Sequence, residues 1–162
     1  MDAKTVVLHA DFPDRFWVVV EQPGDEPCRL EYDPATGSFQ RTDIGSLIYA
    51  RGFRGAYGWI GGLGAPPQPH FDVLLVTDGN PQAGEILLGH LCGMFRRGDG
   101  DHKFVALDDR LLGRVARPDL ECLDPGWRTQ LLGLYPRIGP GEGWFGAWPA
   151  RAYLAVHPPD HD

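Results

Sequence analysis

The sequence lacks any apolar run that approaches the roughly 20 residues needed to cross a bilayer. Its first residues, Met1 to Thr5, also lack the charged and apolar pattern of a secretion signal. We therefore expect a cytoplasmic protein without a membrane partner. A basic stripe with interleaved aromatic residues is absent too, and the net charge is −7. Because nucleic-acid binding depends on clustered Lys and Arg, this balance argues against a nucleic-acid partner.

Cysteine is scarce, with Cys28, Cys92 and Cys122 as the three examples in the chain. An odd number at wide spacing fits neither a disulfide framework nor a zinc motif. We expect three reduced, half-buried thiols with a structural role.

Glycine and proline are abundant, at 22 and 15 of the 162 residues. They are spread along the chain, which favours many turns between short strands over long helices. The length suits one compact domain over residues 1–162, and we find no internal repeat or domain boundary.

Strand patterns dominate the first two-thirds of the chain. They cover residues 16–21, 28–32, 46–49, 56–60, 71–76, 85–95 and 102–107. The first two, joined by a Pro-Gly-Asp turn at 22–27, predict a hairpin, and residues 34–37 predict a second turn. The 85–95 strand has a possible bend at Gly89 or Gly93. Later, Asp124 and Pro125 indicate the N-cap and first residue of a helix that runs to about Leu134. The pattern predicts a small barrel, mainly β in the α+β class, with one or two C-terminal helices.

Three segments resemble the signature of the family I soluble inorganic pyrophosphatases. Tyr57-Gly58-Trp59-Ile60 is similar to the family's Tyr-Gly-aromatic-Ile strand, and Phe71-Asp72-Val73-Leu74-Leu75-Val76 to the Asp-Val-Leu-Val strand that follows its acidic loop. Asp101-His102-Lys103 is similar to its Asp-x-Lys strand. The order and spacing of such pieces, over roughly residues 14–109, carry the resemblance.

The resemblance implies a five-stranded OB-like barrel with an acidic cavity. In the family, Asp and Glu hold several Mg²⁺ ions there, while Lys, Arg and Tyr bind pyrophosphate and a metal-bound water attacks phosphorus. The family's site residues carry over to seven positions: Glu21, Glu31, Tyr57, Asp72, Asp101, Lys103 and Tyr135. Homo-oligomers are frequent in the family, so a homo-oligomer is also compatible with the resemblance.

The acidic loop departs most from the family pattern. Residues 67–72 read Pro-Gln-Pro-His-Phe-Asp where the family has Asp-Gly-Asp-Pro-x-Asp, so two of three metal carboxylates are prolines. In addition, Arg29 replaces a lysine and Phe53 replaces a tyrosine. Because Mg²⁺ needs oxygen ligands, Asp72 and Asp101 are expected to bind at most one ion weakly, not the two ions of a two-metal mechanism. We therefore expect no resident cofactor, with Mg²⁺ as the one candidate.

Our leading hypothesis is a metal-independent acid–base enzyme that acts on a small organic substrate by cyclisation, isomerisation or hydrolysis. Such an enzyme could serve specialised metabolism. Carboxylates without metals repel one another, which separates their pKa values and suits general acid–base catalysis. The catalytic candidates are Glu21, Glu31, Asp72, Asp101 and Lys103. The substrate-binding candidates are Arg29, Phe53, Tyr57, Trp59, His70, His90 and Tyr135.

Plainer interpretations remain open for several of these residues. Arg29 and Glu31 face the same side of a strand and fit an ordinary surface ion pair. Asp72 could cap a turn, and Trp59 could belong to the core.

Two other functions remain as alternatives. One is a Mg²⁺-dependent inorganic pyrophosphatase with a rebuilt site, in which Asp78, Glu85 and Asp99 would replace the lost ligands. The other is a non-catalytic protein that binds a ligand or a partner. An exposed aromatic patch made of Trp144, Phe145 and Trp148 would favour the second alternative.

Overall fold

The structure is a computed structural model that describes residues 1–160. Residues 161 and 162, which the single-domain expectation includes, lie outside the described part. The strands and helices are, in chain order, β1 Arg15–Pro23, β2 Cys28–Asp33, β3 Ser38–Gly45, α1 Leu47–Ala50, β4 Ala56–Ile60, β5 Asp72–Val76, β6 Ile86–Arg96, β7 Lys103–Asp108, α2 Pro125–Leu132, β8 Gly143–Gly146 and α3 Ala147–Val156. Two 3₁₀ turns, Asp109–Arg114 and Leu120–Cys122, lie between β7 and α2.

Five strands close into a barrel, which confirms the predicted fold class. Their order is β1-β4-β5-β7-β6, and β6 pairs again with β1. The β5–β7 pair is parallel, whereas the other pairs of the barrel are antiparallel. The two C-terminal helices also agree with the prediction.

Strand β6 is long enough to pair with two partners on one side. Its first half pairs with β1 and its second half with β8. The pairing with β7 shifts register between Leu91 and Gly93, so the predicted bend lies at this point. A Cβ at Gly93 would lie 2.4 Å from the carbonyl oxygen of Phe145, so β8 can approach here because the residue is glycine.

The predicted hairpin between residues 16–21 and 28–32 is wrong. Strand β1 pairs with β4 and β6, whereas β2 pairs with β3 in a separate two-stranded sheet. A tight turn explains the choice of partner. The Gly37 amide donates to the Asp33 carbonyl at 2.8 Å, and Gly37 has a φ of 73° that favours glycine. Residues 38–45, which were not predicted as a strand, therefore lie directly beside β2.

The strand predicted at residues 46–49 is also wrong, since the chain forms helix α1 there. Ser46 is its N-cap, and the Ser46 hydroxyl accepts a hydrogen bond from the Tyr49 amide at 3.3 Å. Helix α2 begins at Pro125 as predicted and ends at Leu132. Asp124 holds the N-cap position of α2, although its side chain makes no capping hydrogen bond.

Strands β5 and β7 are buried on both faces, which is typical of a parallel pair. Val73 and Leu75 pack into the barrel interior. Leu74 and Val76 pack on the other side, in a second apolar cluster with Leu131 of α2. In the described residues no helix is both long enough and apolar enough to cross a membrane.

The predicted aromatic patch is only partly exposed. Trp148 is 77% exposed and Phe145 39%. Trp144 instead packs against Phe95 and Tyr135, with ring centroids 4.9 and 6.0 Å away. The exposed aromatic surface near the C-terminus therefore consists of two residues.

Candidate functional site

A cavity of about 960 Å³ lies between the mouth of the barrel and the β2–β3 hairpin. The barrel side supplies Glu21, Tyr57, His70, Asp72, Asp101 and Lys103. The hairpin supplies Arg29, Glu31, Tyr32, Asp33 and Gln40. Gln22, Ser46, Arg97 and Tyr135 also line it. The cavity thus contains nine of the twelve residues that the sequence indicated as catalytic or substrate-binding.

The parallel pairing of β5 and β7 brings the central residues together. Asp72 lies directly opposite Lys103, so both strands begin at the same mouth of the barrel. Asp101 and His70 each lie two residues before these positions. Tyr57 reaches the same place from β4, where it pairs with Leu74.

Lys103 is the hub of this group. Its Nζ donates to Asp72 Oδ2 at 2.7 Å, to Asp101 Oδ2 at 3.1 Å and to the Tyr57 hydroxyl at 3.1 Å. These three bonds match the three hydrogens of an ammonium group. Burial lowers the pKa of Lys103, but the two carboxylates outweigh it, and the net pKa is raised. The lysine is therefore charged.

The hydrogen bonds of His70 identify its protonation state. Nδ1 lies 2.7 Å from the Gln68 carbonyl oxygen, which can only accept, so Nδ1 carries a hydrogen. Nε2 lies 2.9 Å from Asp72 Oδ1 and donates to that carboxylate. The pKa of His70 is raised: burial lowers it, but the bonds to Asp72 and Gln68 outweigh burial. Both contacts and the raised pKa favour the imidazolium form of the ring.

Asp72 lies between these two cations. Burial raises its pKa, but the hydrogen bond from His70 and the charge of Lys103 outweigh it and lower the pKa well below the ordinary value. Asp72 is therefore ionised across the neutral range.

The pKa of Glu21 is shifted in the opposite direction to that of Asp72. It lies on β1, half-buried in the cavity wall, where burial and then the negative charge of Asp72 raise the pKa of Glu21 to about 7. His70 and Arg29 oppose this shift but do not cancel it. Near neutral pH the Glu21 carboxyl is thus present in both protonation states.

Arg97 and Gln22 are site residues that the sequence did not indicate as such. Arg97 Nη1 lies 3.6 Å from Asp101 Oδ2, and its guanidinium lies 5.8 Å from the ring centre of Tyr135. Its spacing of four residues from Asp101 in a charged turn was the available signal. The Gln22 side chain donates to the Cys28 carbonyl at 3.1 Å and accepts from the Leu30 amide at 2.8 Å. It therefore joins β1 to the hairpin above the cavity.

Three predicted substrate-binding residues do not line the cavity. Phe53 is fully buried and packs against Trp127, with ring centroids 5.9 Å apart. Trp59 is 1% exposed and lies behind the lining residues. His90 pairs with Leu107, towards the far end of the barrel, and its Nε2 bonds Asp109 at 2.7 Å. We leave these three residues out of the site proposed below.

Arg29 and Glu31 both line the cavity from the exposed hairpin. Among the salt bridges of residues 1–160, none joins Arg29 to Glu31. The interpretation of these two residues as a surface pair therefore does not describe their arrangement.

A Mg²⁺ ion of the kind that the resemblance implies would be held by Asp72 and Asp101. Within the described residues, no group of three or more His, Cys, Asp or Glu side chains is arranged to hold a metal ion. Asp72 and Asp101 are already bridged by the Lys103 ammonium.

The suggested replacement ligands do not line the cavity. Asp78 follows the opposite end of β5 and pairs with Arg114 at 3.0 Å. Glu85 lies just before β6 and contacts the Gln82 amide. Asp99 lies 3.6 Å from Arg97, in the turn behind Asp101.

The closed five-stranded barrel with its C-terminal helices is the fold of the soluble inorganic pyrophosphatases. The chain is similar to an inorganic pyrophosphatase from Neisseria gonorrhoeae, with 24% identity, 95% of each chain covered and a TM-score of 0.72. It is also similar to an inorganic pyrophosphatase from Thermus thermophilus, with 19% identity, 96% of each chain covered and a TM-score of 0.72. An inorganic pyrophosphatase from Ehrlichia chaffeensis is 17% identical, with 93% of this chain and 97% of the Ehrlichia chain covered and a TM-score of 0.71. These identities show a common fold. No protein-family model and no curated protein matches the sequence.

Proposed function

We propose that this chain is a metal-independent enzyme that transfers protons on a small organic substrate, in a cyclisation, isomerisation or hydrolysis. The observation that carries the proposal is the pairing of two carboxyl groups with opposite behaviour in one cavity. Glu21 has a pKa of about 7, whereas Asp72 is held ionised by Lys103 and His70. Separated pKa values of this kind support assigning one carboxyl to proton transfer and the other to charge stabilisation.

Glu21 is the proposed proton carrier. A general acid or base works best when its pKa lies near the operating pH, because both protonation states are then populated. Glu21 would take a proton from the substrate or from a water molecule, or donate one to a leaving oxygen. Arg29, at the rim, would hold an anionic group of the substrate.

The lining of the cavity supports an organic substrate. Beside the charged floor, apolar side chains form part of the wall: Leu30, Ile44, Leu47, Ile48, Pro66 and Pro67. A cavity that combines apolar walls with a few convergent polar groups is typical of small-molecule sites. The volume of about 960 Å³ also suits such a ligand.

The test is turnover in the presence of excess EDTA. Small esters, lactones, epoxides and enolisable ketones would be assayed with wild-type protein, Glu21→Gln and a control, Glu121→Gln. Glu121 lies on the surface beside Arg117, so the control makes the same chemical change outside the cavity. We expect metal-free turnover that falls by roughly 100-fold or more in Glu21→Gln only. Turnover that requires Mg²⁺, or that is equal in the two variants, would refute the proposal.

The fold itself favours a second candidate, a Mg²⁺-dependent inorganic pyrophosphatase. The structures similar to this chain are inorganic pyrophosphatases. This candidate requires cation binding at Asp72 and Asp101 despite the neighbouring Lys103. Phosphate release from pyrophosphate with and without Mg²⁺ separates the two candidates.

A third candidate, binding of a partner or of a second copy, is favoured by the exposure of Trp148 and Phe145. If the two side chains form a contact between copies, Trp148→Ser should lower the sedimentation coefficient in analytical ultracentrifugation. An unchanged coefficient would exclude a self-association contact at Trp148.

The three free cysteines support a reducing compartment such as the cytoplasm.

A further inference from the structure

The β2–β3 hairpin contains a bulge at the rim of the cavity. Between two regular pairs of the hairpin, Arg29 of β2 alone faces three residues of β3, 42–44. Bulges bend a strand and re-aim its side chains, and they are frequent beside binding sites. The Thr42 hydroxyl donates to the Arg29 carbonyl at 2.8 Å and accepts from the Ile44 amide at 3.2 Å. One hydroxyl therefore ties the backbone of a cationic residue to that of an apolar residue.

Apolar side chains lie beside the bulge at the rim. Ile44 lines the cavity, and so does Leu47, the first residue of α1. The Ser46 amide donates to the Pro27 carbonyl at 2.9 Å, which fixes the start of α1 beside β2. Ile44 is 57% exposed and Leu47 50%, although both side chains are large and apolar. Because apolar surface gains free energy when it leaves water, a ligand that covers these two side chains is stabilised by them.

The guanidinium of Arg29 is accessible to the same ligand. Arg29 is exposed and lines the cavity, and no salt bridge in the described part of the chain uses its charge. Asp43, the middle residue of the bulge, does not line the cavity. Burial and Asp72 raise the pKa of Glu21, and the charge of Arg29 lowers it in part. The guanidinium therefore acts on the proposed proton carrier.

We propose that the bulge and the start of α1 form a binding subsite for an organic anion that carries an apolar chain or ring. Arg29 binds the anionic group, and Ile44 and Leu47 contact the apolar part. The inference rests on the proposed function and deepens it, because it names the class of substrate. An inorganic anion would leave the apolar half of this subsite uncovered.

The experiment measures the affinities of butyrate, hexanoate and octanoate by NMR chemical-shift titration in the presence of EDTA. Wild type is compared with the double variant Ile44→Ser, Leu47→Ser, with Arg29→Gln and with Leu132→Ser. Leu132 is 56% exposed at the end of α2 and does not line the cavity, so it is the matched control.

In wild type and Leu132→Ser, we expect the affinity to rise roughly two- to fourfold for each added CH₂ group. The double variant should flatten this rise. Arg29→Gln should weaken binding of every carboxylate by roughly tenfold and keep the rise with chain length. In wild type, octanoate should shift the backbone amide signals of Arg29 and Ile44.

The two apolar side chains are at least half exposed, so the double variant should remain folded, as its circular dichroism spectrum will show. An equal rise with chain length in the double variant and in wild type would overturn the inference. Absence of saturable octanoate binding by wild type would overturn it as well. A double variant that sediments more slowly without ligand, yet keeps the rise, would instead show a contact between copies. The proposed function fails on a separate result, a Mg²⁺ requirement for turnover, because these titrations contain no free metal.

Discussion

Replacing Glu21 with glutamine should stabilise the protein at high pH and leave its stability unchanged at low pH. In the folded protein the pKa of Glu21 is about 7, against an ordinary value of 4.5. Below pH 4.5 the carboxyl is protonated in the folded and unfolded states alike, so it adds no pH dependence. Between pH 4.5 and 7 the unfolded chain releases this proton more readily than the folded chain.

The sign and size of the effect follow from this difference. Because the folded state binds more protons over this interval, the free energy of unfolding falls as pH rises through the folded pKa. A pKa difference of that size corresponds to about 3 kcal/mol at 1.36 kcal/mol for each pKa unit. The wild-type protein should therefore lose about 3 kcal/mol from this group by pH 8, and Glu21→Gln should not lose it.

Urea denaturation at a series of pH values from 4 to 9 measures the effect directly. The difference in free energy of unfolding between Glu21→Gln and wild type should be small at pH 4.5 and near its maximum at pH 8. For a chain of this length, about 3 kcal/mol also corresponds to a shift in melting temperature of roughly 6–12 °C. Glu121→Gln is the matched control. Parallel pH profiles for wild type and Glu21→Gln would refute the assignment of the raised pKa to Glu21.

Three further predictions concern other parts of the site and fold. Lys103→Met should destabilise the protein by about 3–5 kcal/mol in metal-free urea denaturation, because it leaves two carboxylates uncompensated in a buried position. A loss below about 1 kcal/mol would contradict the ion pairs of Lys103 with Asp72 and Asp101. Nitrogen NMR of His70 at pH 6.5 should show the form with both ring nitrogens protonated as the main one, because the pKa is raised above its ordinary value of 6.5. The stability that this charge contributes should be lost only as pH rises through the raised pKa. A mainly neutral ring at pH 6.5 would contradict the prediction. Gly93→Ala should cost about 1–3 kcal/mol, since its Cβ would meet the Phe145 carbonyl, and unchanged stability would show that β8 does not pack there.

The strands of the barrel were predictable because each has a strong local pattern. The run Phe71-Asp72-Val73-Leu74-Leu75-Val76 is apolar on both faces, as a buried parallel strand requires. A similar apolar run forms β7, which begins at Lys103 and is preceded by Asp101. Both runs match one family pattern, which also predicted a common site for Asp72 and Lys103. In the structure, Lys103 Nζ lies 2.7 Å from Asp72 Oδ2.

The position of the hairpin was not predictable, and several site assignments depended on it. Tyr57 and Trp59, both predicted to bind substrate, lie on the same face of β4. The structure separates them because Tyr32 and Phe39 of the hairpin pack against Trp59, with ring centroids 5.1 and 6.1 Å away. The pairing of β2 with β3 depends on one tight turn near Gly37, which the strand pattern alone did not rank above the alternative.

The protonation of the site was likewise beyond local patterns. A sequence can indicate that His70 and Asp72 lie near each other, because they are two residues apart. It cannot indicate that the Gln68 carbonyl faces the other ring nitrogen and holds the imidazolium charged. The raised pKa of Glu21 depends on its burial and then on the charge of Asp72, and both follow from contacts between distant segments.

The most direct test of the central claim is phosphate release from pyrophosphate, measured with and without millimolar Mg²⁺ for wild type and Asp72→Asn. Because Pro67 and Pro69 stand where the resembled family has metal carboxylates, we predict no release above background in either condition. Fast release that depends on Mg²⁺ and disappears in Asp72→Asn would contradict the account, and would show that this cavity binds metal and performs pyrophosphate hydrolysis.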